Sequence, residues 1–260
     1  MRATSRLPVR LRRGSLLAGC GLGAVLIGLA NPAAAQSFQG TPDTVVGTAT
    51  FTEDVGTTTV DVYNPETVIN WTATDLLGSG AINFQPEGTT ATFRGAGDFT
   101  DFTVLNRILP VDGMGNPFAS TVALNGTVIS LMGDGSIGGN IWFYSPTGII
   151  VGPKAVMNVG GLLLTTNDIQ FVPNDELNAT TGHIYEPGNL VQFRGDADSK
   201  GFVEVQPGAS LTATGYSSYV GLIAPRVVQG GSVSADRSIA YIGAEQLDMT
   251  INGGLFDFTV

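Results

Sequence analysis

The residues that could do chemistry in this chain are few and scattered. The single histidine, His183, lies in the polar segment NDELNATTGHIYEPGN (174–189), beside no cysteine and no paired carboxylate. One histidine could serve in a Ser-His-Asp arrangement or as one metal ligand, but no G-x-S-x-G accompanies it. It reads as a surface loop residue. Asp196, Asp198 and Gly201 of DADSKG stand at positions one, three and six of a calcium loop. Position five is Lys200 and position twelve is Pro207, where a bidentate carboxylate is required, so the segment reads as a solvated turn. GDGSIG (133–138) matches a dinucleotide fingerprint, but a strand-like GNIWFYS follows where a helix must place its N-terminus on the pyrophosphate. Arg194-Gly195-Asp196 spells an integrin-recognition tripeptide, and Asn70, Asn125 and Asn178 open glycosylation sequons. Matches this short arise by chance in so Thr-rich a chain.

An enzyme acting on polysaccharide needs paired carboxylates, or a basic residue beside bound calcium. The acids here, including Glu53, Asp54, Asp98, Asp101, Asp134, Asp168 and Glu204, are dispersed along the chain. The expectation is therefore a protein that is not an enzyme, with no metal and no cofactor.

The first 35 residues form a separate unit. MRATSRLPVRLRRGS carries five arginines, LLAGCGLGAVLIGLA is apolar, and NPAAAQ places small residues at Ala33 and Ala35. The apolar run is 15 residues, short of the roughly 20 needed to span a bilayer, so residues 1–35 read as a signal peptide cut after Ala35. LLAGC also resembles a lipobox with Cys20 as the acceptor, but the stronger apolar stretch follows Cys20 rather than preceding it. The whole chain has 12 basic and 22 acidic residues; removing the leader's five arginines leaves 7 basic against 22 acidic, a net charge near −15. Nucleic acid is then an unsuitable partner, because phosphate binding needs basic patches. The remaining chain contains no cysteine, which suits a polypeptide that must stay unfolded in an oxidising compartment.

Beyond the leader, helix signals are nearly absent. Thr, Val and Ile recur in short runs bounded by Gly, Pro, Asn and Asp, the signature of strands and turns. TTTVDVY (57–63), ATFRG (91–95), DFTVLNRIL (101–109), TVALNGTVISL (121–131) and NIWFYS (140–145) are examples. From 121 onward a phrase of roughly 20 residues recurs, the period of a stacking coil. Val151–Val159 aligns with Val205–Ala213, with one expected register slip in the Pro/Gly turn. Asn125-Gly126 and Asn252-Gly253 are the main hairpin candidates. Few hairpin signals and this period favour a parallel β-helix over a β-sandwich. Eight to ten coils would make a rod on the order of 45 Å long. Ile149, Val151, Val156, Val159, Leu162 and Leu164 are the expected core of the central coils. IAYIGAEQLDMTI (239–251) reads as a further coil, and LFDFTV as a strand of a coil that continues beyond residue 260 in a longer parent. DGMGNPFAS (112–120) and residues 174–189 read as excursions from the rod, and 36–80 as N-terminal strands that cap it.

On that frame, SPTGIIVGPKAVMNVGGLLLTTND resembles the N-terminal secretion domain of the filamentous-haemagglutinin family, the exported partners of bacterial two-partner secretion. The family pattern N-P-x-G-I-x-x-G-x-x-A-x-x-N-V-G-x-L-x-x-T is met at Pro146, Gly148, Ile149, Gly152, Ala155, Asn158, Val159, Gly160, Leu162 and Thr165. Ser145 stands in place of the leading Asn, and Thr147 in place of a frequent second Asn. TVLNRI (103–108) and ALNGTVIS resemble earlier family segments, VQPGASLTATG and GLIAPRVVQGGSVSA later ones, so the resemblance covers about 80–260.

The resemblance implies an all-β, right-handed parallel β-helix with an N-terminal cap and extra-helical β excursions over residues 81–260. It implies recognition, while unfolded, by the periplasmic domains of an outer-membrane β-barrel transporter, followed by folding at the cell surface. Asn106, Arg107, Ser145, Pro146, Thr147, Gly148, Ile149 and Asn158 are the expected secretion motif. Two other classes remain open. An exposed aromatic patch at Trp142, Phe143 and Tyr144 would favour an adhesin that binds a host or surface ligand, and a stacked carboxylate cluster would favour a glycan-processing enzyme.

Overall fold

No described residue is α-helical, as the composition requires. A computed structural model describes residues 36–73, 80–112, 114–171 and 190–260. The leader with Cys20, the loop with His183, and the sequon at Asn178 lie outside the described residues.

The chain begins with β1 (Gly40–Val46), β2 (Ala49–Asp54), β3 (Thr57–Val62) and β4 (Glu66–Ala73). Next come β5 (Ile82–Gln85), β6 (Thr90–Gly95), β7 (Thr103–Pro110), β8 (Val122–Leu124) and β9 (Thr127–Leu131). The middle holds β10 (Asn140–Tyr144), β11 (Gly148–Val151), β12 (Val156–Val159), β13 (Gly161–Thr165), β14 (Asp168–Phe171) and β15 (Leu190–Arg194). Then follow β16 (Phe202–Val205), β17 (Ser210–Ala213), β18 (Tyr219–Ala224), β19 (Arg226–Gln229) and β20 (Ser232–Ala235). The last strands are β21 (Ser238–Gly243), β22 (Gln246–Asn252) and β23 (Leu255–Thr259).

These strands build three stacked faces and one added sheet. The first face runs β1-β4-β7-β10-β13-β18-β21, the second β19-β16-β11-β8-β5, and the third β2-β3-β6-β9-β12-β17-β20. Consecutive strands visit the faces in rotation, so each circuit returns beside its predecessor and pairs with it in parallel. This is a parallel β-helix. Strands β1 and β2 pair antiparallel with β4 and β3 at one end, closing edges that would otherwise be open.

The first and third faces each hold six parallel strands and the second holds five, so there are six coils rather than eight to ten. At about 4.8 Å per step their outermost strands lie roughly 24 Å apart. The shortfall has a clear cause. Asn140 stands beside Gly161, 21 residues on, as the repeat predicts, but Thr103 stands beside Asn140, 37 residues on. Excursions consume the difference. One spans 111–117, closed by a Val111–Pro117 bridge, and GDGSIG lies in another, closed by Leu131–Ile137.

The alignment of Val151–Val159 with Val205–Ala213 is the observed pairing, residue for residue, and the expected slip is absent: Val151 faces Val205 and Val156 faces Ser210. Asn125-Gly126 does not close a hairpin. It turns the corner between the second and third faces, where Asn125 Nδ2 donates to Asn83 Oδ1 of the preceding coil at 2.8 Å. Asn252-Gly253 does mark a hairpin, between β22 and β23, with Gly253 and Gly254 both at positive φ.

The fourth sheet, β14-β15-β22-β23, is antiparallel and lies outside the helix. IAYIGAEQLDMTI is therefore a helix strand (β21) joined to an extra-helical one (β22), and LFDFTV is extra-helical as well, not part of a coil. This sheet covers the outer side of the first face. Two cores result. The helix interior contains Phe143, Ile149, Met157, Leu162, Leu164 and their stacked neighbours. A second core, between the first face and the added sheet, contains Leu105, Trp142, Leu163, Phe193, Met249 and others. With both sides covered, NIWFY and GLLLT are buried at every position, whereas TVISL of the third face alternates between buried and half-buried positions. Val156 is 43% exposed rather than core; it opens β12 facing outward, and Met157 takes the inward position.

Candidate functional site

Asn106 and Arg107 sit in mid-β7, and strand alternation sends them to opposite sides. Asn106 points into the helix interior, where Ile69 and Phe143 are its ladder neighbours, and is fully buried. An amide in an apolar interior must find partners. Trp71 Nε1 donates to Asn106 Oδ1 at 3.0 Å, and Asn106 Nδ2 donates to the Trp142 carbonyl at 3.3 Å. Asn106 thus joins three successive coils.

Arg107 points outward under the added sheet, with Asn70 and Tyr144 as ladder neighbours. Its Nη2 bonds Asp168 Oδ1 at 2.8 Å, and its guanidinium lies 5.4 Å from the centre of the Tyr144 ring. Burial, reinforced by the Asp168 carboxylate, pushes the Tyr144 hydroxyl up to about 12, with Arg107 opposing the shift. Arg107 and Asp168 are each only partly buried, so they form a clamp between β7 and β14 rather than an isolated internal charge pair.

Ser145–Ile149 forms the corner from β10 to β11, directly after the residues paired with Asn106 and Arg107. Ser145 is fully buried, and its N–H donates to the Thr165 carbonyl of the next coil at 3.2 Å. Pro146 is exposed and Thr147 half-buried, while Gly148 and Ile149 are buried. A Cβ on Gly148 would lie 3.1 Å from the Phe202 ring and 3.2 Å from Thr121 Oγ1, so any larger residue must push aside a side chain of a neighbouring coil. Asn158 is separate. It lies half-buried on the outer side of β12, in the third face, between Ile129 and Thr212. Seven of the eight candidates therefore gather on the first face and the corner that follows it, whereas Asn158, on the same coil as that corner, lies on the third face.

Trp71, Trp142 and Asp168 complete this arrangement; sequence reasoning did not single out Trp71, took Trp142 for part of an exposed patch, and saw Asp168 only as one of the dispersed acids. Trp71 and Asn106 are 35 positions apart, and only the coil stacking makes them neighbours. Trp142, Phe143 and Tyr144 do not form an exposed aromatic patch: the first two are fully buried and Tyr144 is 8% exposed, because Phe143 points into the helix interior while the added sheet covers Trp142 and Tyr144. Arg194 of the RGD tripeptide is likewise engaged, bonding Asp248 and the carbonyls of Phe193 and Leu247. Among the described residues no group of three or more His, Cys, Asp or Glu side chains could hold a metal ion. No helix among them is long and apolar enough to cross a membrane.

No protein-family model matches the sequence. No curated protein matches it either. Among solved structures, the chain is similar to the HMW1 secretion domain from Haemophilus influenzae, with a TM-score of 0.56 and 18% sequence identity. The match covers 85% of this chain and 48% of the other, so it spans about half of that protein's length. At this identity the likeness is one of fold alone.

Proposed function

We propose that this chain is the N-terminal secretion domain of a larger exported, adhesin-like protein. In this reading an outer-membrane β-barrel transporter recognises it, still unfolded, through periplasmic domains, and it folds at the cell surface after its signal peptide is removed. The observation that carries the reading is the junction of Asn106-Arg107 with the Ser145–Ile149 corner on adjacent coils of a parallel β-helix, the fold it shares with a secretion domain.

Burial supports recognition before folding. Asn106, Ser145, Gly148 and Ile149 are inaccessible once the coils close, so a transporter could read them only in an open chain. Each completed coil removes further apolar surface from water, at about 25 cal/mol per Å². Stacking could therefore draw the chain outward without ATP.

The test is export of the full chain from cells with and without its cognate transporter, using two kinds of variant. Asn106→Ala and Gly148→Asp perturb buried positions, whereas Pro146→Ala and Thr147→Ala touch accessible ones. Export that requires the transporter, and falls in the accessible variants while their folded stability is unchanged, supports recognition of the motif. Transporter-independent export, or a folded protein retained in the periplasm, overturns the reading.

A further inference from the structure

A cleft opens along the corner where the third face of the helix turns into the first, and its origin is a single glycine. The connections into β7, β10 and β18 span residues 96–102, 132–139 and 214–218, whereas the connection into β13 is Gly160 alone. No side chain fits at that corner, because a Cβ on Gly160 would lie 2.7 Å from the backbone N and O of Gly139. One coil is cut back between longer neighbours, leaving a cleft of about 410 Å³. Gly139, Asn140 and Gly160 line its middle, Thr100 and Asp101 one end, and Thr214–Ser218 the other. From β7 to β18 is three strand spacings, about 14 Å, the length of an oligosaccharide rather than a single ring.

The loop that carries Tyr216 is tied down by several contacts. Tyr216 is 80% exposed, yet Arg237 stacks 4.5 Å from its ring centre and donates from Nε to the Tyr216 carbonyl at 2.9 Å. Asp236 holds the same loop from both sides: Gly215 N donates to Asp236 Oδ2 at 2.9 Å, and Asp236 N donates to Ser218 Oγ at 3.1 Å. A large aromatic fixed in water presents apolar area that costs little ordering on binding.

At the opposite end, Asp101 is oriented by Phe102 N donating to Oδ1 at 2.9 Å and Asn140 Nδ2 donating to Oδ2 at 3.2 Å. Each carboxylate oxygen keeps a lone pair. Desolvation of the carboxyl raises it above its ordinary value, with those two bonds opposing, although Asp101 as a whole residue is exposed and so remains reachable by a ligand. The cleft therefore offers an exposed tyrosine, a carboxylate acceptor, small polar groups and the apolar side chains of Met132 and Ile137, and the Arg237 guanidinium is already committed to Tyr216.

We propose that this cleft is a binding subsite for an uncharged oligosaccharide, with a sugar ring's C–H face on Tyr216 and ring hydroxyls donating to Asp101. The negative π-face attracts the weakly positive C–H groups, and a carboxylate accepts from neighbouring hydroxyls. The acidity of the chain, net −10, disfavours anionic glycans. The proposal is independent of the export reading.

The test is saturation-transfer NMR on the purified 260-residue chain. The probes are maltotriose, cellotriose and triacetylchitotriose at roughly 5 mM each, long enough to reach both ends, with sialyllactose as the anionic comparison. Transfer to at least one neutral sugar is expected, with affinity falling about tenfold or more in Tyr216→Ala and in Asp101→Asn. Circular dichroism and melting curves check that both variants stay folded, and Tyr63→Ala, an exposed tyrosine elsewhere, should bind as the parent does. No transfer to any neutral sugar, unchanged binding in both cleft variants, or preference for sialyllactose overturns the proposal.

Discussion

Trp71 and Asn106, 35 positions apart, meet inside the helix at 3.0 Å, the indole N–H donating to the amide oxygen. The amide's own N–H reaches on to the Trp142 carbonyl of the following coil. A polar side chain thus sits at full burial in an apolar stack with both ends satisfied. This makes Asn106 a structural tie whatever else reads it.

Asn106→Ala should destabilise the chain by about 2–4 kcal/mol, since it opens a void and strands the Trp71 indole N–H in a dry interior. Trp71→Phe removes that donor, so the double variant should lose less than the sum of the single losses. Urea unfolding of the four proteins measures the coupling, and strict additivity would show that the bond contributes nothing.

Gly148→Asp should prevent normal closure of the corner, because the added side chain meets the Phe202 ring and Thr121 Oγ1. Gly148→Ala is the milder probe, expected to cost about 1–3 kcal/mol through overpacking. Trimming the neighbour, as Phe202→Leu, should recover part of that cost. Thermal melts decide it, and an unrescued loss would place the defect elsewhere.

The Arg107–Asp168 contact is partly solvated, so its loss should change global stability by only about 1 kcal/mol or less. Its position predicts a local effect. Arg107→Ala should speed amide exchange in β14 and β15 while leaving the interior strands β10 and β13 protected. Uniform acceleration across the molecule would contradict a clamp.

Alkaline pH should weaken the fold through Tyr144. Its hydroxyl titrates at about 12 in the folded chain against an ordinary value of 10.0. Stability is therefore full below pH 10 and is lost as pH rises from there through 12, because the unfolded chain releases the proton first. Tyr144→Phe should flatten the melting temperature across that window. An unchanged slope would mean that the ring is not held as described.

The all-β class and the coil architecture were legible in the sequence because strand and turn preferences are local. Short Thr/Val/Ile runs, Gly and Pro at corners, and the rhythm shared by Val151–Val159 and Val205–Ala213 all act over a few residues. The parity of burial was readable where the outer side of a face meets water, as in TVISL. It was not readable in NIWFY, where a second layer buries both sides, so that Trp142 looked available for binding.

The sequence by itself determined that this chain stacks in coils, and it singled out the segment at Ser145–Ile149. Only the tertiary structure decided how many coils there are, since excursions consume residues without adding layers. Only it decided that β22 leaves the helix to join β14 and β15, and that Gly160 opens a cleft between Asp101 and Tyr216. The physical reason is separation along the chain. Trp71 finds Asn106, and Arg107 finds Asp168, 61 positions away, through coil register and the docking of a distant sheet, neither of which any short stretch of residues encodes.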